Sequence, residues 1–287
     1  MTLVATASLA GCGVTAHEDA AATTTTVSHQ TPTPKGCRPR DLHDLLDRGT
    51  RAVSVYRVVD GEIGTLCHGH PSKTLVRSWH VLDVIASTAD RHQLDYFVGY
   101  TAASQNYDTL AFVSPTFATG PEKTMAISLD AALDDPDQLS LTRAHELAHL
   151  VADQPGQFDE GAPRRTCPGY GTTEGCFPTG SYQARWVAQF WSAAELARLK
   201  PGAEPTIRSG EARCRQVPGF VDGYAASDPE EDLAESFSAF VFDVPVAAAV
   251  RPRLAFFAAI PALRAYRDRA RAAGLTPLPD SYGGCSD

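Results

Sequence analysis

The pentapeptide His145-Glu146-Leu147-Ala148-His149 sets two imidazoles four residues apart with a carboxylate between them. On an α-helix a four-residue step is about 400° of rotation and about 6 Å of rise, so both imidazoles project from one face. Both can then reach a single zinc ion at about 2.0 to 2.1 Å. Glu146 is turned by about 100° from His145, which lets it take a proton from a water held there without being a ligand itself. A catalytic zinc needs a third protein ligand. An H-E-x-x-H-x-x-G-x-x-H continuation would supply it, but Ala152 and Pro155 stand at its glycine and last histidine. Other carboxylates follow downstream, where Asp228-Pro229 can start a helix carrying Glu230, Glu231, Asp232 and Glu235. Glu231 and Glu235 share a face, and two carboxylates four apart repel unless something positive lies between them. Glu230 and Asp232 fit a solvent-facing first turn favoured by the helix dipole. Glu235 lies beyond that turn, among Leu233, Ala234, Phe237 and Ala239.

These side chains need elements to hold them. Asp135 as N-cap and Pro136 at the first helical position begin a helix that runs to about Asp153. Upstream, Ala52 to Val59 alternates as a strand does and closes in a turn at Asp60-Gly61, which predicts a hairpin. Arg40 to Asp47 reads as a short helix. Ser72 to Arg91 reads as one helix packed through Leu75, Trp79, Val81, Leu82 and Ile85. Tyr96 to Tyr100, Leu110 to Val113 and Thr124 to Leu129 read as strands of one sheet. Thr124 to Leu129, directly before the His145 helix, is expected at an exposed edge where an extended peptide could pair. Gln154 to Ser181 lacks apolar periodicity and reads as a long loop. Tyr182 to Leu199 reads as a helix stopped by Pro201. A further helix runs from Asp228 to about Phe242, and the C-terminal third is mainly helical. Arg264, Arg267, Arg269 and Arg271 are expected on a solvated face of the last helix. The fold class is therefore α+β, with a small mixed sheet and the His145 helix in one lobe, about 37–155, and a mainly helical lobe, about 156–287.

His145-Glu146-x-x-His149, together with Tyr224, Glu231, Glu235 and the following Ser236-Phe237, resembles the catalytic domain of anthrax lethal factor and related bacterial zinc peptidases, which are gluzincin-type, zincin-fold metallopeptidases. The resemblance spans about 20 residues in two segments. It implies that Glu231 is the third zinc ligand, that Tyr224 faces the attacked carbonyl, and that Glu235 buttresses the site. The chain departs from the thermolysin branch, whose Glu-x-x-x-Asp is here Glu231-x-x-x-Glu235.

Composition narrows the remaining classes. The 287 residues are 43% hydrophobic and 21% charged, enough for one large domain or two small ones. A net charge of -9 provides no basic surface for displacing counterions from phosphate, so nucleic acid is not expected as a partner. The most apolar region, Val244 to Leu263, is interrupted by Arg251, Pro252, Arg253 and Pro261 and cannot span a bilayer. Leu9-Ala10-Gly11-Cys12 resembles the lipobox of bacterial lipoproteins, which implies a signal segment over 1–11 and a lipid on Cys12. The Thr-, Ala- and Pro-rich stretch 12–36 cannot bury a core and reads as a tether. Residues 37–287 then form the folded domain. Six further cysteines in an exported protein fit disulfides. Cys167 and Cys176 are expected to pair, because the glycines between them let the chain fold back. The others are matched as Cys37 with Cys67 and Cys214 with Cys285.

The expectation is a monomeric, secreted or lipid-anchored zinc metallopeptidase that acts on peptide or protein substrates, touching the membrane only through its anchor. Two other readings share these residues: a non-catalytic zincin-fold lipoprotein that binds a protein or cell-wall partner, and a zinc amidase acting on peptidoglycan cross-links. Retention of Glu146 speaks against the first of these, since a binding module needs no general base.

Overall fold

The computed structural model describes residues 35–37, 51–101, 110–115, 122–130, 135–203, 205–278 and 285. The Arg40 to Asp47 helix, the signal segment, Cys12 and nearly all of the tether lie outside them. Among the described residues the chain forms a five-stranded mixed sheet, a group of helices and a second small sheet, and the expected α+β class holds.

Strand β1 (Arg51–Val59) turns through Asp60 and Gly61 into β2 (Glu62–Gly69). Both turn residues have positive φ, 52° and 76°, which suits the twist of a tight hairpin. Strands β3 (Leu94–Thr101), β4 (Ala111–Pro115) and β5 (Lys123–Ser128) complete the sheet in the order β2-β1-β3-β5-β4. Strand β5 runs parallel to β3 and antiparallel to β4. This corrects the expectation for Thr124 to Leu129: β5 is an internal strand, and the edge on that side is β4. The reason is pairing on both edges, with β3 on one side and β4 on the other. Thr124, Met125, Ala126, Ile127 and Ser128 are buried as well, so both faces are also covered.

Helix α1 (Lys73–Ile85) buries Leu75, Trp79, Leu82 and Ile85 as expected, but it stops there. Ala86 is extended, and Ser87 caps a separate short helix, α2 (Thr88–Arg91). The break seats Asp90 in the interior. Its carboxylate accepts from the Ser87 amide at 2.6 Å, from Gln154 Nε2 at 2.6 Å and from the Tyr266 hydroxyl at 2.8 Å.

Helix α3 (Pro136–Ala152) starts where expected. Asp135 Oδ1 accepts from the amides of Asp137 and Gln138, and Pro136 occupies the first turn. The segment expected as a loop instead contains three very short strands, β6 (Asp159–Glu160), β7 (Tyr170–Gly171) and β8 (Gly175–Phe177), in the order β6-β8-β7. Two- and three-residue strands are too short for alternation to register in a sequence. The Tyr182 to Leu199 helix is also divided, into α4 (Tyr182–Phe190) and α5 (Ala193–Leu196), because Trp191 leaves the helix to bury its indole. Then come α6 (Ile207–Gln216), α7 (Pro229–Val241), α8 (Arg251–Ala259) and α9 (Pro261–Ala272). Helix α7 packs along α3.

The arginines of α9 form a solvated face only in part. Arg269 Nε donates to the Ile85 carbonyl at 2.8 Å, Arg271 makes a two-point contact with Asp243, and Arg267 lies 4.2 Å over the Phe240 ring. Arg264 and Arg271, each about half exposed, fit the expectation, whereas Arg267 and Arg269 are drawn inward. Disulfides join Cys37 to Cys67, Cys167 to Cys176 and Cys214 to Cys285. No helix among the described residues is long and apolar enough to cross a membrane.

Candidate metal centre

Helix α3 presents His145 and His149 toward α7, which presents Glu231 and Glu235 in return. The Asp228 side chain accepts from the Glu230 amide, and Gln183 Nε2 donates to the Pro229 carbonyl, so the first turn of α7 is fixed. His145 Nε2 and His149 Nε2 lie 3.1 Å apart. Glu231 Oε2 is 3.0 Å from the first and 3.6 Å from the second. Three ligands at about 2.0 to 2.1 Å from a tetrahedral ion would lie about 3.3 Å from one another. The observed triangle has that size, and these three residues form a group that could hold a metal ion. Glu231 Oε2 is buried and makes no well-directed hydrogen bond despite its two imidazole neighbours. An atom so placed suits a shared cation better than a hydrogen bond.

Charge points the same way. Burial works against ionisation of all three groups, yet the contacts between them outweigh it: the Glu231 carboxyl is held well below its usual range and both imidazoles are pushed up, His149 to about 9. A divalent cation in the triangle would take the place of those imidazole protons. Glu235 Oε1 lies 3.2 Å from His145 Nδ1, on the far side of the ring. A proton on Nδ1 leaves the Nε2 lone pair facing the other two ligands.

Glu146 is buried next to the triangle, with the backbone of Val113 on β4 near its carboxylate. Burial raises its pKa, and the two imidazoles partly offset that rise. Tyr224, on the loop before α7, sits with its ring 5.9 Å from that of His145 and its hydroxyl near the Glu231 carboxylate. Burial and the nearby carboxylates hold that hydroxyl in its protonated form. Phe220 points elsewhere, against Trp191 and under Arg253. The structure thus brings His145, Glu146, His149, Tyr224, Glu231 and Glu235 to one place.

Two expectations on α7 need correction. Asp232 is fully buried, not solvent-facing. It accepts from Trp186 Nε1 and Trp191 Nε1 at 2.9 Å each and pairs with Arg253 Nε at 2.9 Å. Arg253 in turn stacks on Phe190 and Phe220. Glu230 is only partly exposed, and burial followed by repulsion from Asp228 pushes its carboxyl up to about 8. Sequence reasoning missed Val113, Trp186, Trp191 and Arg253. The available signal was the arginine at 253 inside an apolar stretch, which called for an acidic partner.

No family model matches the chain, and no curated protein matches it. A solved structure from Bacteroides caccae, "a putative zinc-binding metallo-peptidase", is similar at 13% identity and a TM-score of 0.36, over 70% of this chain and 73% of that one. A likeness of that order assigns neither fold family nor activity to this chain.

Proposed function

We propose that the chain is a zinc-dependent metallopeptidase with a gluzincin-type centre, in which His145, His149 and Glu231 hold the metal. The observation that carries this reading is the triangle of His145 Nε2, His149 Nε2 and Glu231 Oε2, with sides of 3.1, 3.0 and 3.6 Å and Glu146 beside it. Zinc bound there would supply Lewis acidity, lowering the pKa of a water and polarising a carbonyl. Glu146 accepts the proton of the attacking water and later passes it to the leaving amine. Its buried position and raised pKa suit a group that must both take and return a proton near neutral pH. The Tyr224 hydroxyl turns from Glu231 to donate to the oxyanion as it develops. Glu235 keeps the His145 ring oriented.

The substrate is a peptide or protein, and the enzyme acts as a monomer outside the cell, secreted or held by a lipid on Cys12. The three disulfides are compatible with an extracellular protein. Glu146→Gln tests the reading, because glutamine keeps the shape and cannot accept the proton. Hydrolysis of a peptide library should fall by about 10² to 10⁴ with zinc content unchanged. Equal rates for the two proteins would take Glu146 out of the chemistry, and no hydrolysis by either would leave a binding protein. Activity confined to cell-wall amides would replace the peptide substrate.

A further inference from the structure

The stretch between α6 and α7 carries Tyr224, and α6 grips that stretch at three points. Gly210 lets the two backbones meet: a Cβ there would fall 1.8 Å from the Gly223 carbonyl oxygen and 2.6 Å from the Ser227 amide nitrogen. Arg213 Nη1 donates to the Ala226 carbonyl at 2.8 Å. Cys214 is bonded to Cys285, whose Sγ lies 3.4 Å from the carbonyl oxygen of Phe220 and 3.8 Å from that of Asp222. Gly210 and Cys214, four residues apart, form the buried face of α6. Inside the stretch, Asp222 Oδ1 accepts from the Ala225 amide at 2.8 Å, and the Tyr224 carbonyl accepts from Ser227 Oγ at 2.6 Å and from the Ser227 amide at 2.9 Å. Phe220 and Asp222 are thus held before the tyrosine, Gly223 beside it, and Ala226 and Ser227 after it.

The metal ligands do not depend on this grip, because they stand on α3 and α7, which pack on each other directly. A tyrosine side chain is a long lever, and a backbone shift of about 1 Å is enough to take its hydroxyl out of line, at a cost of about 10² in rate. We propose that Gly210, Arg213 and the Cys214–Cys285 disulfide are positioning elements for Tyr224, setting its hydroxyl against His145 and Glu231 without taking part in metal binding. This rests on the reading of Tyr224 as the oxyanion donor.

The test is a double-mutant cycle on the full chain. Cys214→Ala/Cys285→Ala should keep one zinc per chain and KM within about twofold, while kcat falls by about 10 to 10². Amides of Ala225, Ala226 and Ser227 should exchange at least about tenfold faster, with α3 and α7 unchanged. In a Tyr224→Phe background the same pair of changes should leave kcat within about twofold, because the lever they hold is gone. Arg213→Ala keeps every disulfide, introduces no clash and should give the same pattern, so it serves if the cysteine variant does not fold. Unchanged kcat, an equal loss in the Tyr224→Phe background, or faster exchange in α3 and α7 with loss of zinc would each overturn the proposal. If Tyr224→Phe alone is silent while Glu146→Gln is inactive, the tyrosine's role and this proposal fall together and the metallopeptidase reading stands. If the parent protein itself hydrolyses no peptide, that reading falls as well.

Discussion

At the scale of single residues, the centre works through what each group can hold or release. His145 and His149 were legible because a four-residue step on a helix leaves little freedom in where two imidazoles point. Glu231 and Glu235 were legible as a pair, since they share a face, but their division of labour depends on geometry. Glu231 faces both Nε2 atoms, while Glu235 meets Nδ1 of one ring. In the proposed centre Tyr224 is not a ligand: it lies near Glu231, and burial with the surrounding carboxylates keeps its hydroxyl protonated. Tyr224→Phe removes one hydrogen bond made mainly in the transition state. It should lower kcat by about 10² to 10³ with KM nearly unchanged, as steady-state kinetics on a peptide substrate would show. A kcat within about twofold of the parent would take the tyrosine out of the chemistry.

At the scale of elements, the start signals were reliable and the interruptions were not. Asp135-Pro136 and Asp228-Pro229 each combine a side-chain cap with a residue whose φ suits the first turn, so both site helices begin where the sequence says. The breaks at Ala86 and Trp191 were invisible, because neither is a helix breaker. Each exists to deliver a buried group, Asp90 in one case and the Trp191 indole in the other, to partners remote in sequence. The position of β5 was misjudged for a related reason, since strand order depends on pairings that no local pattern records. Asp232 shows what such long-range partners do for the site. It lies one residue after Glu231 and ties α7 to two tryptophans and Arg253, which fixes how the helix is turned. Asp232→Ala would leave a buried guanidinium unpaired and should cost about 3 to 5 kcal/mol in denaturant unfolding. A loss below about 1 kcal/mol would show that the network is not what holds α7.

At the scale of the whole molecule, two segments far apart in the chain must meet, and disulfides supply part of the constraint. Closing the loop between Cys214 and Cys285, 71 residues apart, restricts the unfolded chain more than the nine-residue loop of Cys167 and Cys176, roughly 4 against 3 kcal/mol in the chain-entropy model. Anchoring belongs to the same scale. Cys12→Ala should release the protein from membranes, as fractionation of the producing cells would reveal, and leave its unfolding curve unchanged. Continued membrane association would remove the lipid anchor from the account. The central claim is that one metal ion sits between α3 and α7, and metal content per chain tests it most directly. The parent protein should carry one zinc after exhaustive dialysis, Glu231→Ala should lose nearly all of it, and Glu235→Ala should retain it with weakened affinity, by about 10 to 10². Zinc retained in full by Glu231→Ala, or lost only in Glu235→Ala, would contradict the assignment.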